Sequence, residues 1–178
     1  MRAEPPLILF VCHANTARSV MAHVMLERML AERGVAARVR SAGIANWARD
    51  GMLPSLDARI VLREEGILLG EDELTSTDLR RHTDLLADAA IVLTMTAEQR
   101  EIVRGYAEAD GRAIYTLAEF AGADGDGDID DPAQRGEDAF RFARDRIRSY
   151  LETSFDRLIQ LGGPEMAPQT PQPSPAPE

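Results

Sequence analysis

The first thirty residues after the N-terminus combine an apolar run, a short polar loop and a helical pattern without a break. Residues 7–11 are Leu-Ile-Leu-Phe-Val, and this run of β-formers without alternation predicts a strand buried on both faces. In residues 20–33 the apolar side chains have helical spacing and form a stripe opposite charged side chains. A strand, a loop and a helix in this order predict the start of a βαβ unit, with residues 12–19 as the loop between them.

The same alternation of strand and helix patterns continues to residue 160. Further strands are predicted at residues 36–40, 89–95 and 113–115. Helices are predicted after Pro54 and at residues 75–86, 97–109 and 137–160. Such alternation requires parallel strands joined by right-handed crossovers. The predicted fold class is therefore α/β: a three-layer sandwich with a four-stranded parallel sheet in the order 2-1-3-4 and helices on both faces.

The chain of 178 residues is long enough for one domain, which we assign to residues 1–161. Residues 162–178 differ in composition, because they hold six of the ten prolines, with Gln, Ser and Thr between them. A segment of this kind cannot bury enough apolar surface to order itself. It is predicted to be a Pro-rich disordered tail.

Charge and cysteine content limit the partners and the compartment. The net charge of −10 argues against nucleic acid as a partner. A single cysteine cannot form an internal disulfide, and a reactive thiol is favoured by a reducing compartment. The apolar run at residues 7–11 is too short for a signal peptide or a membrane span. The chain is expected to be cytoplasmic, with no membrane partner.

Cys12 comes directly after the first predicted strand and before the N-terminus of the first predicted helix. The unpaired amides and the positive dipole end of that helix favour an anion in the loop, and they favour the thiolate form of Cys12. Ser19 could donate to the sulfur, and the planar guanidinium of Arg18 suits two oxygens of a phosphate. The pattern predicts a nucleophile beneath a bound tetrahedral oxyanion.

Residues 11–19, Val-Cys-His-Ala-Asn-Thr-Ala-Arg-Ser, resemble the phosphate-binding loop of the low-molecular-weight protein tyrosine phosphatases. The resemblance implies that Cys12 attacks phosphorus, that Arg18 holds the phosphocysteine intermediate, and that neither a metal nor a cofactor is needed. The implied activity is hydrolysis of phosphotyrosine-type phosphomonoesters of proteins, with phosphoarginine in proteins as an alternative substrate. The implied partners are a phosphorylated protein or a small phosphomonoester, with phosphate as product or inhibitor. The implied substrate-binding residues of the loop are His13, Ala14, Asn15, Thr16, Ala17 and Ser19.

The resemblance extends to a general acid and to an aromatic wall. Asp131, followed by Pro132, is similar to the Asp-Pro pair of the family's acid loop, although Asp128 and Asp130 compete for this role. Trp47 lies at the spacing of the family's substrate-stacking aromatic, and it is predicted to bind the substrate. Residues 115–120 are similar to a segment of the bacterial members.

Several departures from the family pattern leave the reaction open. Ala14 stands where the family has Gly, which would strain the loop if that position required a positive φ. An inactive phosphate-binding module is therefore one alternative. Thr16 is typical of bacterial members that hydrolyse phosphoarginine, whereas Trp47 favours phosphotyrosine. Because Cys12 is the only cysteine, arsenate reduction would need an external thiol.

Overall fold

The computed structural model describes residues 4–161. Its strands are β1 (Leu7–Cys12), β2 (Arg38–Gly43), β3 (Ala89–Thr94) and β4 (Ile114–Thr116). Its α-helices are α1 (Arg18–Arg33), α2 (Leu56–Glu64), α3 (Asp84–Asp88), α4 (Ala97–Arg104), α5 (Leu117–Phe120) and α6 (Glu137–Leu161). Two single-turn 3-10 helices are at Leu79–Arg81 and Ala107–Ala109.

The four strands form one parallel sheet in the order β2-β1-β3-β4, which confirms the predicted topology. All six residues of β1 are buried, as expected for a strand covered on both faces. Ile8 and Phe10 pack into the core formed with α1, α2, α5 and α6, and Leu7 and Leu9 pack into the core beneath α3 and α4. The carboxyl end of β1 therefore opens between the ends of β2 and β3, where parallel sheets usually bind ligands.

The second strand begins and ends later than predicted. Residues 36–40 were the expected strand, but β2 spans Arg38–Gly43 and so includes Ser41, Ala42 and Gly43, which lie beyond the predicted end. Ser41 pairs with Phe10, and Gly43 pairs with Cys12. The weak strand propensity of Ser-Ala-Gly is overridden because pairing with the buried β1 satisfies their backbone groups.

The prediction of one helix at residues 75–86 is wrong. The structure has an irregular segment, then the 3-10 turn Leu79–Arg81 and the short α3. Neither Thr75 nor Thr77 caps a helix; the Asp78 carboxylate accepts the Arg80 amide. The backbone of Thr77 instead bonds to Gly43, so tertiary pairing has replaced the local helical pattern.

Two smaller corrections concern the second half of the chain. The helix predicted at residues 97–109 ends as an α-helix at Arg104 and continues after a break as a 3-10 turn. Helix α5 was not predicted from the sequence, and its first turn carries a capping box between Thr116 and Glu119. The predicted tail at 162–178 lies outside the described residues. Within residues 4–161, no helix is long and apolar enough to cross a membrane.

Glu64, the last residue of α2, links this helix to α6 by two ion pairs and provides a test of the packing. Its carboxylate lies 2.8 Å from Arg141 Nη2 and 2.7 Å from Arg144 Nη1. Hydrogen bonds from Arg141 and then Arg144 lower the pKa of Glu64 from 4.5 to about 2. The stabilisation is therefore fully present above pH 4.5, and it is lost as the pH falls towards 2.

We expect Glu64→Gln to lower the midpoint of urea unfolding at pH 6, and we expect this difference from wild type to shrink between pH 4.5 and 2. The measurement is a series of urea titrations followed by circular dichroism. Asp156→Asn, an exposed acid on α6, is the matched control and should show no such convergence. A difference that stays constant down to pH 2 would contradict the assignment.

Candidate active site

Cys12, the last residue of β1, lies at the floor of the loop formed by residues 12–17. The residue is only 3% exposed and borders the apolar core, and its sulfur contacts polar groups of residues 15 and 19. The Asn15 amide donates to Cys12 Sγ at 3.3 Å, and Ser19 Oγ lies 2.9 Å from the same sulfur. Because Ser19 Oγ already accepts a hydrogen bond from Asn15 Nδ2, its hydroxyl is free to donate to the sulfur, as the Asn15 amide does.

Asn15 holds the loop in shape through its backbone and its side chain. Its φ of 59° is left-handed, a conformation that asparagine tolerates better than most residues. Its Nδ2 donates to Ser19 Oγ at 2.7 Å, and its Oδ1 accepts the Thr77 amide at 2.9 Å. One buried side chain therefore orients the Ser19 hydroxyl and ties the loop to a segment sixty residues later.

The departure at Ala14 does not strain the loop. Among the non-glycine residues of the described chain, only Asn15 and Gln134 have a positive φ, so Ala14 occupies an ordinary backbone region. The geometric reason for expecting an inactive loop is thereby removed. The glycine that the loop does require is Gly43, because a Cβ there would lie 2.6 Å from the His13 carbonyl oxygen.

Backbone bonds fix the loop against its neighbours on both sides. The Cys12 and His13 carbonyls accept amides of residues 44 and 45, just beyond β2, and the Thr16 carbonyl accepts the Ser55 amide at 2.9 Å. Ala17 and Ser19 are buried, whereas His13, Ala14 and Thr16 are half-buried at the rim. The loop is thus rigid before any ligand binds, as preorganised anion binding requires.

The helix that follows the loop begins without a side-chain cap. Ala17 is the N-cap of α1 and supplies no acceptor, whereas Ser55 and Thr96 cap α2 and α4 through their hydroxyls. The first-turn amides of α1 therefore have no side-chain acceptor, and they face the loop with the positive end of the helix dipole. Such a helix start can accept the oxygens of a phosphate.

Arg18 lies across the same opening and points towards the acid loop. Its side chain is 3% exposed, and Nη1 donates to the Ile129 carbonyl at 2.7 Å. Nη2 lies 3.6 Å from Asp131 Oδ2, and the Asp131 side chain is 50% exposed. The structure therefore brings together the predicted phosphate-binding arginine and the predicted acid.

The neighbouring acids have other positions. Asp128 Oδ1 accepts a hydrogen bond from the Ala97 amide at the start of α4, so this carboxylate has a structural role. Asp130 is exposed and makes no ion pair with Arg18. Pro132 is buried and anchors the turn, so Asp131 is the carboxylate that faces the opening.

Trp47 lies on the loop after β2 and is 57% exposed, which is unusual for so large an apolar side chain. Its ring centroid lies 6.1 Å from that of His13, with the planes tilted by 59°. The indole therefore lies at the rim of the loop formed by residues 12–17, and it is not a core residue.

Thr77 and Ile129 also contribute to the site, although sequence reasoning did not select them. Thr77 donates its amide to Asn15, and Ile129 offers its carbonyl to Arg18. The Ile129 amide in turn donates to the Met95 carbonyl just beyond β3. Because both residues act through backbone atoms, their side-chain types carried no signal.

Comparison with protein families gives one match, to the model described as low molecular weight phosphotyrosine protein phosphatase, over residues 7–161. A protein-arginine-phosphatase of Geobacillus stearothermophilus is 38% identical over 158 residues, covering 88% of this chain and 95% of the relative. A low molecular weight protein-tyrosine-phosphatase of Staphylococcus haemolyticus is 33% identical over 157 residues, covering 88% and 94%.

Solved structures show the same fold. The arginine phosphatase of Geobacillus stearothermophilus matches with a TM-score of 0.74 and 32% identity, covering 86% of this chain and 93% of that one. A low molecular weight protein tyrosine phosphatase from T. tengcongensis matches with a TM-score of 0.73 and 28% identity, covering 85% and 99%. The predicted family resemblance is confirmed.

The contact between Ser19 and Cys12 predicts the reactivity of the thiol. Removing a hydrogen bond to a charged group costs about 1.5–3 kcal/mol, which corresponds to roughly 10- to 150-fold in rate. Ser19→Ala should therefore slow the alkylation of Cys12 by iodoacetamide at neutral pH, measured by mass spectrometry. Ser154→Ala removes a buried hydroxyl that bonds only within α6, and it should leave the rate unchanged. Equal rates in all three proteins would contradict the role of Ser19.

Proposed function

The chain belongs to the low molecular weight phosphotyrosine protein phosphatase family, and we propose that it hydrolyses phosphorylated protein side chains through a phosphocysteine on Cys12. The observation that carries this proposal is the arrangement around one opening: the Cys12 sulfur, the uncapped start of α1, buried Arg18 and half-exposed Asp131. Together they supply a nucleophile, an anion site and a proton donor.

In the first step, the amides of residues 13–19 and the guanidinium of Arg18 bind the three terminal oxygens of the phosphoryl group. The Cys12 thiolate attacks phosphorus from below, so that a sulfur–phosphorus bond forms while the bond to the leaving atom breaks. Protonated Asp131 gives its proton to that atom. The preorganised amides stabilise the charge on the equatorial oxygens during transfer.

In the second step, water attacks the phosphocysteine. Asp131, now ionised, accepts a proton from the water, and the sulfur–phosphorus bond breaks to restore the thiolate and release inorganic phosphate. A cytoplasmic location fits this cycle, because a lone reactive thiol is kept reduced there.

For the substrate, we favour phosphoarginine. Thr16, half-buried at the rim, offers a small polar side chain where a guanidinium would pass, and its carbonyl is held by Ser55. Two relatives, 38% and 28% identical, bear the name protein-arginine-phosphatase.

Phosphotyrosine is the second candidate, and exposed Trp47 supports it. An indole ring at the rim, beside His13, can pack against an aryl leaving group. The relative from Staphylococcus haemolyticus, 33% identical, bears the name of a tyrosine phosphatase.

Cys12→Ser should abolish turnover of phosphorylated peptides, and Asp131→Asn should lower kcat by about 10²- to 10⁴-fold, as loss of a general acid does. Steady-state release of inorganic phosphate measures both effects.

Asp130→Asn is the matched control, because it removes an adjacent exposed carboxylate that makes no ion pair with Arg18. Turnover that survives in Cys12→Ser, or equal losses in the two aspartate variants, would overturn the proposed mechanism.

Thr16→Ile should reduce turnover of phosphoarginine peptides relative to phosphotyrosine peptides, because extra apolar volume obstructs the guanidinium. We expect the ratio of the two kcat/KM values to change by roughly 10-fold or more. Thr16→Val keeps the shape and removes only the hydroxyl, so it separates size from polarity. An unchanged ratio in both variants would contradict a role for Thr16 in substrate choice.

A further inference from the structure

Trp47 is an exposed residue on an irregular loop, so its own packing does not hold it at the rim. The loop is instead bound on both sides of the indole by one guanidinium. Arg80 Nη1 donates to the Asn46 carbonyl at 3.1 Å, and Arg80 Nη2 donates to the Ala48 carbonyl at 3.0 Å. A single planar group therefore bridges the two residues that flank Trp47.

Arg80 is itself fixed by Asp78. Nε and Nη2 of Arg80 donate to the two carboxylate oxygens of Asp78 at 2.9 and 2.8 Å, a bidentate geometry. The Asp78 side chain is only 5% exposed, and the hydrogen bond from Arg80 lowers its pKa, so the pair is charged at neutral pH. Isolated surface ion pairs add little stability, but this pair sets the orientation of a fork that makes two further bonds.

The same segment is attached to the phosphate-binding loop. Thr77, next to Asp78, donates its amide to Asn15 Oδ1 and accepts the Gly43 amide through its carbonyl. The chain from Thr77 to Arg80 thus contacts both the residue that shapes the loop around Cys12 and the loop that carries Trp47. It forms a short rigid connection between them.

We propose that Arg80 is a positioning residue that holds Trp47 at a defined distance from the phosphate-binding loop. It thereby determines how the leaving group of the substrate binds. This inference rests on the proposed contact between Trp47 and the substrate. Arg80 touches no reacting atom; it acts through the backbone on either side of the indole. Because Trp47 is already held in position, less conformational entropy is lost when the substrate binds.

Arg80→Gln should lower kcat/KM for an aryl phosphate by about 3- to 10-fold, the range of an aromatic contact, and mainly by raising KM. The inhibition constant for inorganic phosphate should stay within about 2-fold, because phosphate contacts the loop around Cys12 and not the indole. Arg80→Lys keeps the charge but not the planar guanidinium, so its kcat/KM should lie between those of wild type and Arg80→Gln.

A direct measurement of Trp47 is available, because it is the only tryptophan in the chain. Time-resolved fluorescence anisotropy should show a larger amplitude of fast indole motion in Arg80→Gln than in wild type. Unchanged anisotropy would overturn the inference, whatever the kinetics. This readout does not depend on catalysis, and a general loss of stability far from Trp47 would not produce it.

Arg38→Gln is the matched control. Arg38 also makes a two-pronged pair with an aspartate, Asp88, and donates to a carbonyl, that of Pro5, but it does so at the opposite end of β2. It should leave both the anisotropy and KM unchanged. A change in Arg38→Gln equal to that in Arg80→Gln would show a general effect and overturn the inference.

A double-mutant cycle separates this inference from the proposed function. If Arg80 acts through Trp47, Arg80→Gln should have little further effect on KM in the Trp47→Ala background. Additive effects would overturn the inference. Wild-type kinetics in Trp47→Ala would overturn both this inference and the substrate role of Trp47, while the Cys12→Ser experiment would still decide whether the protein is a cysteine-dependent phosphatase.

Discussion

The pair of hydrogen-bonding contacts to the Cys12 sulfur is the interaction on which the rest of the site depends. Both partners are positioned by Asn15, whose left-handed backbone aims its amide at the sulfur and whose Nδ2 holds the Ser19 hydroxyl. Left-handed backbone in a residue other than glycine costs of the order of 1–3 kcal/mol. The surrounding structure offsets this cost, since the Asn15 side chain is buried and hydrogen-bonded to both Ser19 and Thr77.

The parallel sheet explains why these groups meet at one point. Because β1 is the inner strand between β2 and β3, the segments leaving all three strands emerge at the same edge. The loop after β2 carries Trp47, and Cys12 is the last residue of β1. The end of β3 anchors the loop that carries Asp131 through the bond between Met95 and Ile129. The buried strands serve as a rigid base, so the loops can keep geometry that their own contacts would not preserve.

Charge in this protein is organised locally. The chain carries a net charge of −10, so the overall field does not attract an anionic substrate. Attraction is confined to the uncapped start of α1 and to Arg18, which is almost wholly buried. Arg18 Nη2 lies 3.6 Å from Asp131 Oδ2, so the proposed anion-binding group and the proposed general acid are neighbours.

The sequence alone determined the βαβ start and the order of the four strands, because the periodicity of apolar side chains reports burial. It also placed Cys12 and Arg18 in one loop, whereas Asp131 was singled out from Asp128 and Asp130 only by the family resemblance. Tertiary structure alone decided that Ser41 to Gly43 join β2, that residues 75–86 are not one helix, and that Arg80 holds the Trp47 loop. These features depend on backbone groups meeting across thirty to sixty residues. Backbone carbonyls and amides do not differ between residue types, so a local sequence pattern does not predict which distant backbone group each one bonds to.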